Sequence, residues 1–414
     1  MKSLPLIKKI NRRRSLGIIG ALLWVAACTG SPASASIDAT RVFEDALLTA
    51  TYAMGTATPA VTEPPAEPTQ TFTPTPDPNR TPPALPAVFI TDMINAKDSP
   101  HAYIQDTCEY LKLKWDPNNS SPGTVVMPIM FHGLTDAETA TGLQITHDYL
   151  VQLLRDLKGQ GFETVTAEQL ADFLERNAKI PERSIILIVD DRHYPDYFRT
   201  HFIPQLQEYG WTVTNAFISH PSNSAELWDG NAELSAEGWV DYQAHGVVHN
   251  IPISDFPPNT YINTEVYGQV SADEFIHNEL YGPITAFEEH FGKRPIAYIW
   301  PGGGFTQKAV QVAREAGYRL GFTVNPRGPL MFNWIPLASE GDPARPTWMP
   351  EGQIGDPLMV LPRYWDTDAA SRIDEVRRMG KEAAAYAEQN KTTELEYYDI
   401  VCKSQTGEIP TLAP

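Results

Sequence analysis

The chain has 414 residues, 42% of them apolar and 10% aromatic, enough for one large domain or two modest ones around ordinary packed cores. With 32 Lys+Arg against 51 Asp+Glu, the formal net charge is −19. That balance excludes a protein built to wrap nucleic acid, which needs clustered cations against phosphate, and it excludes an extended basic membrane-binding face.

The basic residues are unevenly placed. Lys2, Lys8, Lys9, Arg12, Arg13 and Arg14 precede Cys28 with no acid among them, so the rest of the chain is more acidic still. They lead into the apolar run Leu16–Ala27, twelve residues long, too short for the roughly 20 residues of a spanning helix. Residues 1–27 therefore read as a targeting signal. The run ends Val25-Ala26-Ala27-Cys28, which resembles a bacterial lipoprotein lipobox. The resemblance implies cleavage before Cys28, a lipid on its sulfur, and a protein held at a membrane of the cell envelope, outside the cytoplasm; an ordinary signal peptide is the alternative. Cys108 and Cys402 remain, flanking the main body. In an oxidising compartment they are expected to pair.

Residues 28–88 read as an N-terminal segment and linker. Ten prolines between 55 and 86, interleaved with Thr, Ala and Glu, cannot bury a core and favour an extended, disordered stalk. Residues 89–123 read as an extension of a globular domain over 124–366, with a helix and tail over 367–414. Within the domain, Val125–Phe131 predicts a buried strand. Helices are expected over 149–159 and 167–176 from leucines on one face. Ser184–Asp190 is a β-branched run of the kind covered on both faces. Helix 196–209, strand 212–218, strand 239–244, helix 272–291, strand 296–300, helix 306–317 and strand 320–324 continue the alternation. A last strand, Met359–Arg363, precedes a helix near 368–390. Strands alternating with helices predict an α/β fold with a parallel sheet, and about seven units predict an irregular (β/α)7-type barrel. Active sites in such barrels sit at the carboxyl ends of the strands.

Several residues meet that test. Asp190-Asp191 ends the most apolar strand, where two desolvated acids are costly without a cation; alone, the pair fits a strand-end turn with solvated acids better. His245 and His249 follow strand 239–244, and two neutral imidazoles with one carboxylate form a catalytic divalent-metal set. His132 follows the first strand and suits a third ligand or a general acid. Pro301-Gly302-Gly303-Gly304 follows strand 296–300, where glycines admit a close ligand and offer backbone N–H groups to an oxyanion. Trp300 is either core or a platform for a sugar face.

Order, spacing and residue type resemble the polysaccharide deacetylases, specifically the poly-N-acetylglucosamine deacetylase branch. That family shows Tyr-His after its first strand, then Thr-Phe-Asp-Asp-Gly, His-Ser/Thr-x-x-His and Tyr-Pro-x-Gly. Here these stand as Phe131-His132, Ile188-Val189-Asp190-Asp191-Arg192, His245 to His249, and Trp300-Pro301-Gly302-Gly303, and the stretch from Gly161 to Leu174 is similar too. The likeness covers about residues 125–365. It implies that Asp191, His245 and His249 hold a divalent metal ion, Zn²⁺ in kind. Asp190 would then be the general base and His132 the general acid, in hydrolysis of acetamide groups on an N-acetylated polysaccharide. Three departures stand out: Arg192 replaces the glycine after the two acids, Gly246 replaces the hydroxyl residue, and the family's arginine is missing from the proline-glycine motif. Arg363 is the candidate to replace that arginine; a surface ion pair is its alternative. His193 is expected to be a solvated loop histidine. The departures keep open a catalytically silent glycan-binding module and a metal-dependent hydrolase of another amide or ester.

Overall fold

The computed structural model describes residues 80–250, 257, 259–341, 343 and 349–411, all within one compact unit, Pro76–Pro414. The expected leader and stalk, with Cys28 and the prolines up to 78, lie outside the described residues. Among those described, no helix is long and apolar enough to cross a membrane.

Seven parallel strands form the body: β1 (Val125–Phe131), β2 (Arg183–Val189), β3 (Val213–Phe217), β4 (Val240–Ala244), β5 (Ala297–Ile299), β6 (Leu320–Phe322) and β7 (Tyr364–Trp365), with neighbours in the order β6-β5-β4-β3-β2-β1-β7. A two-residue strand, Glu163–Thr164, adds parallel pairing beside β2. Alternate side chains explain the continuous apolar runs. Met127, Ile129 and Phe131 pack with Ile185, Leu187 and Val189 in one core, while Val126, Ile186 and Ile188 enter another with Tyr298 and Trp300. Both faces of β1 and β2 are thus covered, as a central parallel sheet requires.

The sheet curls until its edges meet. The Leu361 N–H donates to Gly321 O (2.8 Å) and the Thr323 N–H to Leu361 O (2.8 Å), while β7 pairs on its other side with Ile129 and Met130 of β1. The expected strand Met359–Arg363 is therefore corrected. Residues 357–359 form a 3₁₀ turn, and the regular strand begins at Tyr364. Pro362 has no N–H to give a ladder, so pairing with β1 starts only beyond it. Arg363 consequently precedes the last strand instead of following it.

Pro204 accounts for a second difference. The expected helix 196–209 is two helices, Pro195–His201 and Ile203–Tyr209, broken at Phe202: Pro204 has no N–H to donate and its ring crowds the preceding turn, so it sits in the first turn of the second helix. The sequence reading also missed the helices Thr107–Trp115 and Ala225–Ala236, each opened by a side-chain cap from Asp106 and Ser224. The final helix spans Asp366–Tyr397 and continues into the turn Tyr398–Cys402. Cys402 is joined there to Cys108 by a disulfide (Cα–Cα 5.1 Å) across 294 residues of sequence. Residues 80–88, assigned to the linker by composition, run along this helix: Arg80 pairs with Glu396 and Asp399, and Ala87 O accepts from Tyr386.

Candidate active site

The sheet register brings the motifs together at one end. Phe131 pairs with Val189, and the Asp190 N–H donates to Phe131 O (2.8 Å), so His132 and Asp190 leave adjacent strands side by side. The His245 N–H donates to Phe217 O and the Trp300 N–H to Phe322 O, which sets both at the same carboxyl rim.

Asp191, His245 and His249 converge. Nε2 of His249 lies 3.0 Å from Nε2 of His245, and one Asp191 carboxylate oxygen lies 3.9 Å from His245 and 3.5 Å from His249. Tetrahedral ligands at about 2.0–2.1 Å from one ion stand about 3.3–3.4 Å apart, so the set fits a zinc-like cation. Tautomer chemistry agrees. His245 Nδ1 is 2.7 Å from Ile299 O, and a carbonyl only accepts, so Nδ1 carries the hydrogen and Nε2 presents its lone pair. Burial pushes His245 down to about 4, which keeps that lone pair free. The left-handed backbone of Asp191 (φ 71°) and His249 (φ 56°) turns both side chains toward the centre. In the family pattern a glycine follows the two acids; here the left-handed residue is Asp191 itself. Arg192 is exposed and donates to Asn223 (2.7 Å).

Asp190 does not join the ligand group. It is buried and held by Arg363, with Nη1 2.6 Å from Oδ1 and Nη2 3.0 Å from Oδ2. The Arg363 Nε donates to Thr323 O (2.7 Å) and the side chain is fully buried, so the surface ion pair is excluded. Burial opposes the Asp190 charge, yet the guanidinium outweighs it and holds the carboxyl below its ordinary value. His132 Nε2 stands 3.8 Å from Asp190 Oδ2, and its ring stacks on Trp365 (4.9 Å, 15°). Burial pushes His132 down against the pull of Asp190.

Three expectations are corrected. Trp300 is fully buried, donates from Nε1 to Met359 O (2.8 Å) and packs on Tyr298, so it is core and offers no face to a sugar. The Gly303 N–H donates to Trp300 O (2.8 Å), which removes it from the oxyanion expectation; a Cβ there would also strike Val324. Pro301 is buried, and exposed Gly302 (φ 59°) keeps that expectation alone. His193 is half-buried: its Nε2 lies 2.9 Å from Asp190 O and its ring stacks on Tyr197 at 3.9 Å.

Sequence reasoning missed three supports. Asn215 of β3 donates to Val189 O (2.8 Å) and Asp191 O (3.0 Å), fixing the backbone on either side of Asp190. Glu279, buried in helix Ala272–His290, accepts from the N–H groups of Val247 (3.1 Å) and Val248 (3.0 Å) and from the Tyr267 hydroxyl (2.7 Å). It thereby organises the loop between the two histidines from outside, where the family pattern has a hydroxyl within the loop. A Cβ on Gly246 would lie 2.6 Å from Glu279 Oε2 at a φ of +79°. Gly246→Ser, the family's own residue type, is accordingly expected to destabilise by at least about 1–2 kcal/mol from backbone strain alone and to weaken metal binding. Urea unfolding and metal titration check this; a variant as stable as wild type would show that the loop relaxes freely.

The third support is Asp366, the first residue of the final helix. Its carboxylate accepts from the backbone of Thr367 (2.8 Å), while burial pushes it up to about 7. The folded protein therefore binds this proton more tightly than the unfolded chain. That stabilisation is complete below about pH 4 and is lost as pH rises through 7. Asp366→Asn, measured without added metal, is expected to gain on wild type progressively from pH 4 to 8, by roughly 2–4 kcal/mol at the upper end. A pH-independent difference would remove the buried-carboxyl explanation.

Residues 177–321, which include both the Asp-Asp and His-x3-His segments, match the model of the polysaccharide deacetylase family. The likeness to that family is thus carried by residues 177–321. A Bacillus subtilis protein named provisionally as the polysaccharide deacetylase YxkH is 19% identical over 198 residues, 48% of this chain and 64% of that relative. Among solved structures, the Streptococcus pyogenes deacetylase PplD in complex with acetate matches 62% of this chain and 99% of its own at 17% identity and a TM-score of 0.46. IcaB from Ammonifex degensii matches 63% of this chain and 98% of its own at 16% identity and a TM-score of 0.44.

Proposed function

We propose that this chain is a metal-dependent deacetylase of N-acetylated polysaccharide, tethered outside the cytoplasm by a lipid on Cys28. The observation that carries the reading is the division of labour between adjacent acids: Asp191 converges with His245 and His249, while Asp190 is held apart by Arg363. Asp191, His245 and His249 would hold a divalent ion, Zn²⁺ in kind, which would supply Lewis acidity at the acetamide.

The remaining work falls to side chains. Asp190, kept ionised by Arg363, accepts a proton from the water as its oxygen adds to the acyl carbon. Charge developing on the carbonyl oxygen can meet the Gly302 N–H. Burial makes the imidazolium of His132 a stronger acid, though a less populated one at neutral pH, and in that form it protonates the departing amine, leaving acetate and a free amino sugar. Stacking on Trp365 keeps the ring in place. The Cys108–Cys402 disulfide supports an extracytoplasmic setting, since such bonds persist in oxidising compartments. The acidic surface suits a glycan that becomes cationic as acetyl groups leave.

The test is metal content of the purified protein measured beside acetate release from a panel of N-acetylglucosamine oligomers and polymers. Acetate release that requires the metal is expected. Glycan binding without release, with metal bound, would replace this reading with a silent binding module.

A further inference from the structure

We propose that Asp136, His147 and His201 form a second binding site for a zinc-class divalent cation, which clamps the loop at the rim of the acetamide-hydrolysing centre. The three residues come from three separate pieces of the domain. Asp136 follows the short strand Gly133–Thr135, which begins one residue after His132; His147 opens the helix His147–Gly159; His201 closes the helix Pro195–His201. Their ligating atoms nevertheless all lie within 4.8 Å of one another.

The spacing is that of shared ligation. Nδ1 of His147 stands 3.2 Å from Nδ1 of His201, against about 3.3–3.4 Å for two nitrogens bound tetrahedrally to one ion at about 2.0–2.1 Å. The rings meet at 5.3 Å and 53°, so they are not stacked for packing. Two imidazoles and one carboxylate select a borderline transition metal over Ca²⁺ or Mg²⁺, which want oxygen ligands throughout. Both histidines are half-buried and Asp136 is exposed, so an ion has a path in and a solvent-facing position for a fourth ligand.

The location gives the site a task. Gly133–Thr135 pairs with the strand Gln144–Thr146 and packs Leu134 on the core, but the residues between the two strands are exposed. An ion bound by Asp136, His147 and His201 would fasten this loop to the helix Pro195–His201. That helix carries Tyr197, whose ring meets His201 at 5.3 Å and stacks beneath His193, the residue that reaches Asp190 O. One cation would thus brace the segment leaving His132 and the ring layer under Asp190.

The test counts ions, and its readout does not depend on turnover. Metal-free full-length protein is titrated with Co²⁺ or Zn²⁺ and bound metal is measured after gel filtration. Two equivalents are expected for wild type. His147→Ala/His201→Ala should keep one, Asp191→Ala/His245→Ala should keep one, and the combined variant none. Asp136→Asn, at an exposed position, should weaken the second equivalent at least tenfold and guards against misfolding of the histidine variants. One equivalent in wild type, or a second equivalent unmoved by His147→Ala/His201→Ala and by Asp136→Asn, would overturn the proposal. Two equivalents without acetate release would leave it standing and remove the proposed activity instead.

Discussion

Asp190→Asn is expected to cut acetate release by about 10²–10⁴-fold, the range for loss of a positioned general base, while the protein retains its metal at Asp191, His245 and His249. Asparagine keeps the shape and one accepting oxygen for Arg363, but it cannot take the proton. The separation of effects is the diagnostic part. Asp190 sits at the end of β2 with both carboxylate oxygens turned to a guanidinium, whereas Asp191 turns the other way through its left-handed backbone. A loss of activity with metal retained locates the defect in proton transfer. Full activity would refute Asp190 as the base.

Arg363→Met carries the second large effect, on folding. Arg363 and Asp190 are both buried, and removing one partner of such a pair leaves an uncompensated charge, which costs about 3–5 kcal/mol. Met keeps most of the volume, so the loss reports the charge and not a cavity. The Thr323 carbonyl also loses its Nε donor, which adds to the cost. Asp190→Asn/Arg363→Met, with neither charge, is expected to be more stable than Arg363→Met by at least about 1 kcal/mol, because the stranded carboxylate is gone. Urea unfolding of the four proteins closes the cycle. Additive losses would mean that the two side chains act independently despite their 2.6 Å contact.

The two predictions exploit a relation that no local pattern contains. Asp190 and Arg363 are separated by 173 residues, and Arg363 lies in a stretch whose strand was placed too early. Pro362 was visible, but what it interrupts depends on β1 and β6 arriving on opposite sides of it. Glu279 was nearer to legibility. It shares a helical stripe with Phe275, Ile276, Leu280 and Pro283, all buried, and an acid on such a stripe needs a partner. Its partners, the N–H groups of the histidine loop, lie some thirty residues earlier and could not be read from the helix.

The sequence by itself determined the chemistry available. Apolar runs that end in Asp190-Asp191, Phe131-His132 and before His245 put those residues at strand ends, because a parallel strand covered on both faces can release its polar residues only where it stops. The expectation of a leader before Cys28 and of a proline-rich linker before 87 likewise rests on composition. The tertiary structure decided which candidate groups act together. It drew Trp300 and Gly303 into the core, where burial and a short backbone hydrogen bond occupy them. It gave Asp190 a buried cation, replaced a missing hydroxyl with Glu279, and brought Asp136, His147 and His201 to one point. The physical reason is common to all of these: local sequence sets where a side chain leaves the backbone, but charge compensation and ligand geometry depend on groups that only closure of the sheet brings within a few ångströms.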